Sequence, residues 1–475
     1  MKNLIINSIS VFQISVVIIS LYYLILSFFG LYKKQINKIY KPEKSFALLV
    51  AAHNEEAVIG KIIESLKDID YPKYLYDIFI IADNCTDSTA RIARKFNVNV
   101  FERFNKNEKG KGFALDWMFK KIFKMQQKYD AVAIFDADNL VSKNFLNEMN
   151  NKMLEGYEVV QGYLDSKNPH DSWITESYSI SFWTANRVFQ LARNNIGLSN
   201  QIGGTGFIIA TEILKEIGWG VTCLTEDLEF TCKLVLNGYR VGWAHDAVVY
   251  DEKPLTLGQS WNQRKRWMQG FADVSSRYFI PLMENAFKRL DFISFDCALY
   301  TIQPYITLLL GVSILLAFVQ NNSPHGLNIF VINNLLPVFV WKIFSIFQFL
   351  FTPFVMILES KLKKPLFGFL GLYSLNIVIS GLIFGSHGTF IQIALESLMY
   401  FCFVSTLIYI VLGKNSTELF FRYILYGVYT LTWIPITIQG IMNKNDKEWS
   451  HTKHTRQIGM EEMRTDIQLT KMDWS

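Results

Sequence analysis

Two hydrophobic patterns divide this chain. Between residues 45 and 280, short apolar runs of strand length are separated by segments whose apolar residues recur at helical spacing. Residues 4–30 and 297–442 are instead largely apolar over long stretches. The first pattern predicts a water-soluble α/β domain, and the second predicts helices in a lipid bilayer.

In the soluble region the predicted strands and helices alternate, which is typical of a mainly parallel sheet covered by helices. The predicted strands are Phe46–Ala52, Asp77–Ala82, Asn99–Arg103, Ala131–Asn139, Tyr157–Leu164 and Tyr239–Tyr250. The predicted helices are Glu56–Lys67, Ser88–Phe96, Gly112–Lys128, Trp173–Leu191, one that ends near Leu236, and Ser260–Tyr278. Three strands end in polar clusters, at His53-Asn54-Glu55, Asp83-Asn84 and Asp136-Ala137-Asp138. These ends should line one crevice, because ligands of such sheets bind outside the carboxyl ends of the strands.

The first apolar segment predicts a membrane anchor. Residues 4–30 carry no charge, are long enough to span a bilayer, and are followed by lysines at 33, 34, 38, 41 and 44. The alternative is a signal peptide, which is disfavoured because the segment is too long and lacks an Ala-x-Ala site. The positive-inside rule then places the soluble region in the cytoplasm of a multi-pass cell-membrane protein. The domains are therefore a transmembrane helix at 4–32, a cytoplasmic domain at 45–280 and an interfacial helix at 281–296.

Residues 297–442 predict further transmembrane or interfacial helices. Apolar spans occur at about 297–319, 329–358, 366–386 and 389–412. The segment Leu419–Met442 is ambiguous, because it contains Arg422, Pro435 and Gln439. It either crosses the bilayer or forms a kinked, re-entrant segment, and we favour the second interpretation. That gives five spans, with the tail at 443–475 on the cytoplasmic side.

Charge and cysteine content narrow the function classes. The net charge of +5 is concentrated beside apolar segments, so it bears on membrane topology and indicates no nucleic-acid partner. The five cysteines show no CxxC spacing, which disfavours a zinc site and a disulfide framework. Neither GxGxxG nor GxxxxGK[ST] follows a predicted strand, which removes the main support for dinucleotide and P-loop sites.

Several polar residues suggest chemistry. Asp136 and Asp138 stand one residue apart on an extended chain and could share a divalent cation, although solvated loop aspartates are the alternative. The cluster Gly203-Gly204-Thr205-Gly206 predicts a tight turn where backbone approaches a ligand. Thr225 stands where it could cap the following helix. His245 could be a third metal ligand, but a strand histidine with a structural hydrogen bond is favoured.

The motifs form a series along the chain. They are His53-Asn54-Glu55, Asp83-Asn84, Lys109-Gly110-Lys111-Gly112, Asp136-Ala137-Asp138, Gly203-Gly204-Thr205-Gly206, Thr225-Glu226-Asp227 and Gln263-Arg264-Lys265-Arg266-Trp267. From about Phe46 to Gly270 this series resembles the membrane-embedded family 2 glycosyltransferases, which include cellulose, hyaluronan and poly-N-acetylglucosamine synthases. The resemblance implies a GT-A nucleotide-sugar-binding domain, with a mixed, mainly parallel sheet, inserted between transmembrane and interfacial helices.

The resemblance also implies roles for individual residues. A UDP-sugar would be bound by His53, Glu55, Asp83, Lys111, Asp136 and Arg266, with Mg²⁺ or Mn²⁺ on Asp136 and Asp138. The catalytic motif would be Thr225, Glu226 and Asp227, with Asp227 as general base, since the acceptor hydroxyl must lose a proton. The acceptor side would comprise Gly204, Thr205, Gln263 and Trp267. A gating loop would comprise Trp449, Thr455 and Arg456, for which an ordinary tail is the alternative.

We therefore expect a processive, inverting synthase that extends a β-glucan or poly-N-acetylglucosamine from a UDP-sugar and passes the growing glycan across the membrane. Whether accessory export subunits take part stays open. The first alternative is a non-processive transferase that adds one sugar to a membrane lipid carrier. A transporter or receptor is disfavoured because the spans carry few charges, mainly Lys342 and Glu396.

Overall fold

One mixed sheet forms the centre of the soluble domain. The computed structural model describes residues 2–34, 40–220, 222–322, 337–384, 389–445 and 456–463. Within these ranges the strands are β1 (Phe46–Ala52), β2 (Tyr76–Asp83), β3 (Asn99–Arg103), β4 (Ala131–Asp136), β5 (Leu140–Val141), β6 (Val159–Ser166), β7 (Phe207–Ala210) and β8 (Val241–Asp251). They are ordered β3-β2-β1-β4-β7-β6-β8-β5 across the sheet.

The sheet is mainly parallel, as predicted. Strand β1 pairs in parallel with β2 and β4, β2 pairs in parallel with β3, and β6 pairs in parallel with β8. Strand β7 runs antiparallel between β4 and β6. The predicted strand Ala131–Asn139 ends at Asp136, because the chain turns there and Asn139 N donates to the Asp136 carbonyl at 3.2 Å.

Helices cover both faces of the sheet. From the amino terminus the helices are α1 (Lys2–Phe28), α2 (Ile59–Lys67), α3 (Thr89–Arg94), α4 (Lys111–Ile122), α5 (Phe145–Leu154), α6 (Trp173–Ala185), α7 (Ala192–Asn195), α8 (Thr211–Ile217) and α9 (Glu226–Leu236). Alternate residues of β1 belong to two different hydrophobic cores, Leu48 and Val50 to one and Ala47 and Leu49 to the other. Such a strand is apolar on both sides, which explains its continuous hydrophobic run.

The predicted helix Trp173–Leu191 is interrupted. Helix α6 ends at Ala185 and continues as a π-helical turn over Asn186–Leu191 before α7. π-Helical turns are rare in proteins, and those that do occur are often found at functional sites.

The remaining helices lie after the sheet. They are α10 (Leu257–Arg289), α11 (Phe292–Thr301), α12 (Gln303–Asn322), α13 (Val338–Leu358), α14 (Lys364–Ser374), α15 (Asn376–Phe384), α16 (Phe390–Leu431) and α17 (Trp433–Met442). Five helical segments of the described chain are long and apolar enough to cross a membrane, at 7–28, 303–320, 338–358, 364–384 and 390–442. Gly413, with a φ of 77°, interrupts α16 and separates its two apolar halves.

One predicted boundary differs. The interfacial helix expected at 281–296 does not exist as a separate element, because Pro281 lies inside α10, which continues to Arg289. Helix α10 packs against α11 and α17, and it continues through Pro281 although proline removes one main-chain hydrogen bond.

Ion pairs between described residues connect the soluble domain to the later helices. Among them are Arg187–Glu359 at 3.0 Å, Arg193–Asp296 at 2.7 Å, Lys361–Asp165 at 2.7 Å and Arg422–Glu176 at 2.9 Å. Because most of these side chains are buried, the pairs hold β6 and the segment from α6 to α7 against α11, α16 and the residues that follow α13.

Candidate functional site

A large cavity lies at the carboxyl ends of β1, β2 and β4. Its volume is about 1650 Å³. All three polar clusters that end these strands line it, as predicted. From there it extends past α9 and α10 to residues of α12, α16 and α17. The cavity therefore joins the soluble domain to the apolar helices.

One end of the cavity is built on Asp83. Its carbonyl lies 2.7 Å from His53 Nδ1, and its carboxylate accepts a hydrogen bond of 2.7 Å from Arg103. Arg103 is only 4 % exposed, so this ion pair is buried. Glu55 lies alongside, with its main-chain N 2.8 Å from Thr89 Oγ1. No motif marked Arg103, because its importance comes from the pairing of β3 with β2 and not from its neighbours in sequence.

Lys111 connects two of the motifs. Its Nζ lies 2.5 Å from Asp136 Oδ1 and 2.6 Å from the Gly204 carbonyl. Thr205 completes the connection, because its Oγ1 lies 3.1 Å from the main-chain N of Asp136. The glycine turn and the end of β4 are thus held against each other.

Asp136 and Asp138 both line the cavity. Asp138 is 3 % exposed, and its Oδ2 accepts a 3.3 Å hydrogen bond from the main chain of Glu252. Among the described residues no group of three or more His, Cys, Asp or Glu side chains is arranged to hold a metal. Two carboxylates are nevertheless the donor set that suits Mg²⁺ or Mn²⁺ when substrate phosphates and water complete the coordination. The residues present therefore fit a substrate-bridged cation.

Asp227 lies in the first turn of α9 and faces the glycine turn. A Cβ placed on Gly204 would lie 3.3 Å from Asp227 Oδ2, and Gly204 has a φ of +80°. Burial, together with the negative charge of Glu226, raises the pKa of Asp227 to about 7, while the Lys111 ammonium opposes this rise. Burial also raises the pKa of Glu226. A carboxylate tuned in this way suits general-base catalysis near neutral pH.

Thr225 immediately precedes α9, at the position predicted for the helix cap, but its side chain makes no capping hydrogen bond. It packs instead against Gly270 of α10, where an added Cβ would lie 2.3 Å from Thr225 Oγ1. The loop before the helix is held by Glu229, whose carboxylate accepts hydrogen bonds from Thr222 N and Cys223 N at 2.8 and 3.1 Å.

Helix α10 supplies the far wall of the cavity. Gln263, Arg266 and Trp267 line it, and the Gln263 side chain accepts a 2.8 Å hydrogen bond from Tyr178 OH. The Trp267 ring packs 6.0 Å from that of Tyr178. The positive charge of Arg266 lowers the pKa of Glu226, against the larger upward effect of burial.

The remaining predicted residues do not line the cavity or lie outside the described chain. Arg456 donates from its guanidinium to Asp171 at 2.8 Å and from its main chain to the cavity-lining Glu252 at 3.3 Å. Trp449 and Thr455 lie outside the described residues. His245 is not among the cavity-lining residues; Trp243 Nε1 lies 3.2 Å from its Nδ1.

The soluble domain is similar in sequence to known proteins. Residues 42–270 match the family described as "Glycosyltransferase like family 2". Residues 42–270 are a glycosyltransferase family 2 domain. One curated relative is a beta-monoglucosyldiacylglycerol synthase from Synechocystis sp., which is 30 % identical over a match that covers 48 % of this chain and 48 % of the relative. Another is a poly-beta-1,6-N-acetyl-D-glucosamine synthase from Staphylococcus aureus, which is 28 % identical over a match that covers 62 % of this chain and 72 % of the relative. The chain spans about half the length of the first of these.

The fold has a solved counterpart. A mannosyltransferase from Pyrobaculum calidifontis, in complex with GDP-Man and Mn²⁺, superposes with a TM-score of 0.50 at 17 % identity. The match covers 80 % of this chain and 99 % of that one. It confirms the expected GT-A fold.

Proposed function

We propose that this protein is an inverting glycosyltransferase that extends a β-linked glycan, of β-glucan or poly-N-acetylglucosamine type, from a UDP-sugar. It works at the cell membrane with its catalytic domain in the cytoplasm and passes the product across the bilayer. The observation that carries this proposal is the continuity of one cavity from Asp83, past Asp136 and Asp227, to Gln303 and Thr430 of the later helices. Such a path leads from a donor site towards the membrane.

The proposed reaction follows from the residues around Asp227. The Asp227 carboxylate takes the proton of an acceptor hydroxyl, whose oxygen attacks the anomeric carbon of the donor. The bond between that carbon and the diphosphate breaks on the opposite side, and its electron pair leaves with UDP. Lys111 and Arg266 place positive charge near the departing diphosphate. A Mg²⁺ or Mn²⁺ ion held by Asp136 and Asp138 would, when bound, stabilise the same negative charge.

A second candidate is the transfer of one sugar to a membrane lipid. The similarity to a glucosyldiacylglycerol synthase supports it. So does the packing beyond the cavity, because Thr307 is the last lining residue of α12 and α12 packs against α17. Such packing suits an acceptor presented at the membrane boundary.

Product analysis separates the two candidates. The full chain in nanodiscs is supplied with Mg²⁺ or Mn²⁺ and a panel of UDP-sugars, with and without diacylglycerol, and the products are sized and digested with linkage-specific hydrolases. A long, β-linked polymer formed without added lipid supports the synthase. Single-sugar products that require the lipid support the second candidate and overturn the processive proposal.

A further inference from the structure

The cavity has a second polar region beyond Asp227. It is lined by residues from the π-turn, from the loop before the glycine turn, and from α11 and α12. These residues are Phe189, Gln190, Gln201, Tyr300, Gln303 and Thr307, and all are uncharged. We call this group the amide end of the cavity. None of the sequence motifs includes these residues.

Two glutamines of the amide end have side-chain atoms without partners. Gln201 is 3 % exposed, and neither its Nε2 nor its Oε1 makes a hydrogen bond within the described chain. The Oε1 of Gln303 is likewise buried without a partner there. A buried polar group left unpaired costs about 1–3 kcal/mol. Native structures rarely retain such groups unless a ligand or water pairs with them.

The neighbouring Gln190 provides the contrast. Its Nε2 donates to the Gln201 carbonyl at 2.8 Å, and its Oε1 accepts from Asn200 Nδ2 at 3.0 Å. It lines the same cavity, and both polar atoms of its side-chain amide make hydrogen bonds to the protein. The unpaired state is therefore specific to Gln201 and Gln303 and does not apply to every glutamine of this wall.

Aromatic rings line the same cavity as the two glutamines. The Tyr300 ring packs 4.9 Å from that of Phe189 and 5.3 Å from that of Phe271, so the three rings form a continuous surface. Burial and the negative charge of Asp227 both raise the pKa of the Tyr300 hydroxyl. The amide end thus adjoins the group that would activate the acceptor.

We propose that the amide end is a subsite for an uncharged sugar unit of the acceptor. Gln201 and Gln303 hydrogen-bond its hydroxyls, for which amides are suited because they both donate and accept. The Phe189 and Tyr300 rings contact its C–H face. This inference rests on the proposed function and names its acceptor class. A lipid phosphate fits less well, because the guanidinium that packs on the Phe189 ring, that of Arg193, is buried and already paired with Asp296.

The test uses the full chain in nanodiscs and the substitution Gln201→Met, with Gln190→Met as the matched control. For Gln201→Met we expect the KM for a neutral disaccharide, cellobiose or diacetylchitobiose, to rise about tenfold. The KM for the UDP-sugar should change less than the KM for the disaccharide, because Asp83 and the Arg103 that holds it lie away from Gln201. The melting temperature should stay equal or rise, because an unpaired amide is removed. Gln190→Met should lower it, since paired groups then lose their partner.

Direct titration of each disaccharide, followed by tryptophan fluorescence, keeps the test independent of turnover. Weaker binding of the disaccharide to Gln201→Met than to the unmodified protein supports the subsite. If the unmodified protein releases no UDP, that separate result overturns only the proposed function. Unchanged binding and unchanged acceptor KM overturn the subsite. Comparing the binding of glucosyldiacylglycerol with that of the free disaccharides distinguishes a sugar carried on a lipid from the end of a glycan chain. Undecaprenyl phosphate that competes as well as the neutral sugars would contradict the charge argument.

Discussion

Two substitutions should move the pH dependence of catalysis in opposite directions. The charge of Glu226 raises the pKa of Asp227, and the charge of Lys111 lowers it. Glu226→Gln should therefore lower the pKa of Asp227, whereas Lys111→Gln should raise it. Because only the deprotonated carboxylate can accept a proton, activity should rise with pH through this pKa, near 7 in the unmodified protein.

The size of each shift follows from Coulomb's law. A unit charge at about 6 Å in an effective dielectric constant of about 20 contributes about 2.8 kcal/mol, or about 2 pKa units. Water in the cavity screens part of this interaction, because the Asp227 side chain is only half-buried. We therefore expect shifts of about 1–2 units, downwards for Glu226→Gln and upwards for Lys111→Gln.

The assay is the pH profile of kcat/KM for UDP release, because this ratio reports the groups of the free enzyme. It is measured at one saturating Mg²⁺ concentration. Lys120→Gln is the control, since Lys120 lies on the exposed side of α4 and pairs with Asp116. Residual activity of the variants suffices, as the midpoint and not the maximum is compared. Shifts in the same direction, or none in either variant, would refute the assignment of Asp227 as the base.

Three further predictions concern binding and stability. Arg103→Met should raise the KM for the UDP-sugar more than it changes kcat, because Asp83 loses its buried partner; steady-state kinetics measure this. Gly204→Ala should lower kcat at least tenfold, because the residue has a φ of +80° and its new Cβ would crowd the proposed base; a normal turnover would contradict it. Arg193→Met should destabilise the protein by about 3–5 kcal/mol by leaving Asp296 buried without its partner; thermal unfolding in detergent measures this, and an unchanged melting temperature would contradict it.

The sheet and the strand ends were predictable from local patterns. Runs such as Phe46–Ala52 are apolar on both faces and stop abruptly at polar residues, so both the strand and its functional end are visible in the sequence. Strand β7 was missed because it has only four residues and follows a glycine cluster that predicts a turn. Helix α5 was missed because several of its residues are asparagine and lysine, which obscure the apolar spacing.

The site was predictable only where residues belong to a motif. Asp136 and Asp227 come together as expected because each follows or begins an element of the α/β domain. Arg103 acquires its role through strand pairing, and Gln201 and Gln303 acquire theirs through the meeting of a loop with α12. Contacts of this kind depend on tertiary packing, and a single sequence contains no spacing that marks them.

The most direct test of the account is metal-dependent UDP release by the purified full chain, compared with Asp227→Asn. We expect release with one or more UDP-sugars in Mg²⁺ or Mn²⁺, loss of release after chelation, and a fall of roughly 10²–10⁴-fold in the variant. The variant should still bind UDP, because Asp83, which is paired with Arg103, lines a different part of the cavity. Release of UDP by Asp227→Asn at the unmodified rate would contradict the central claim.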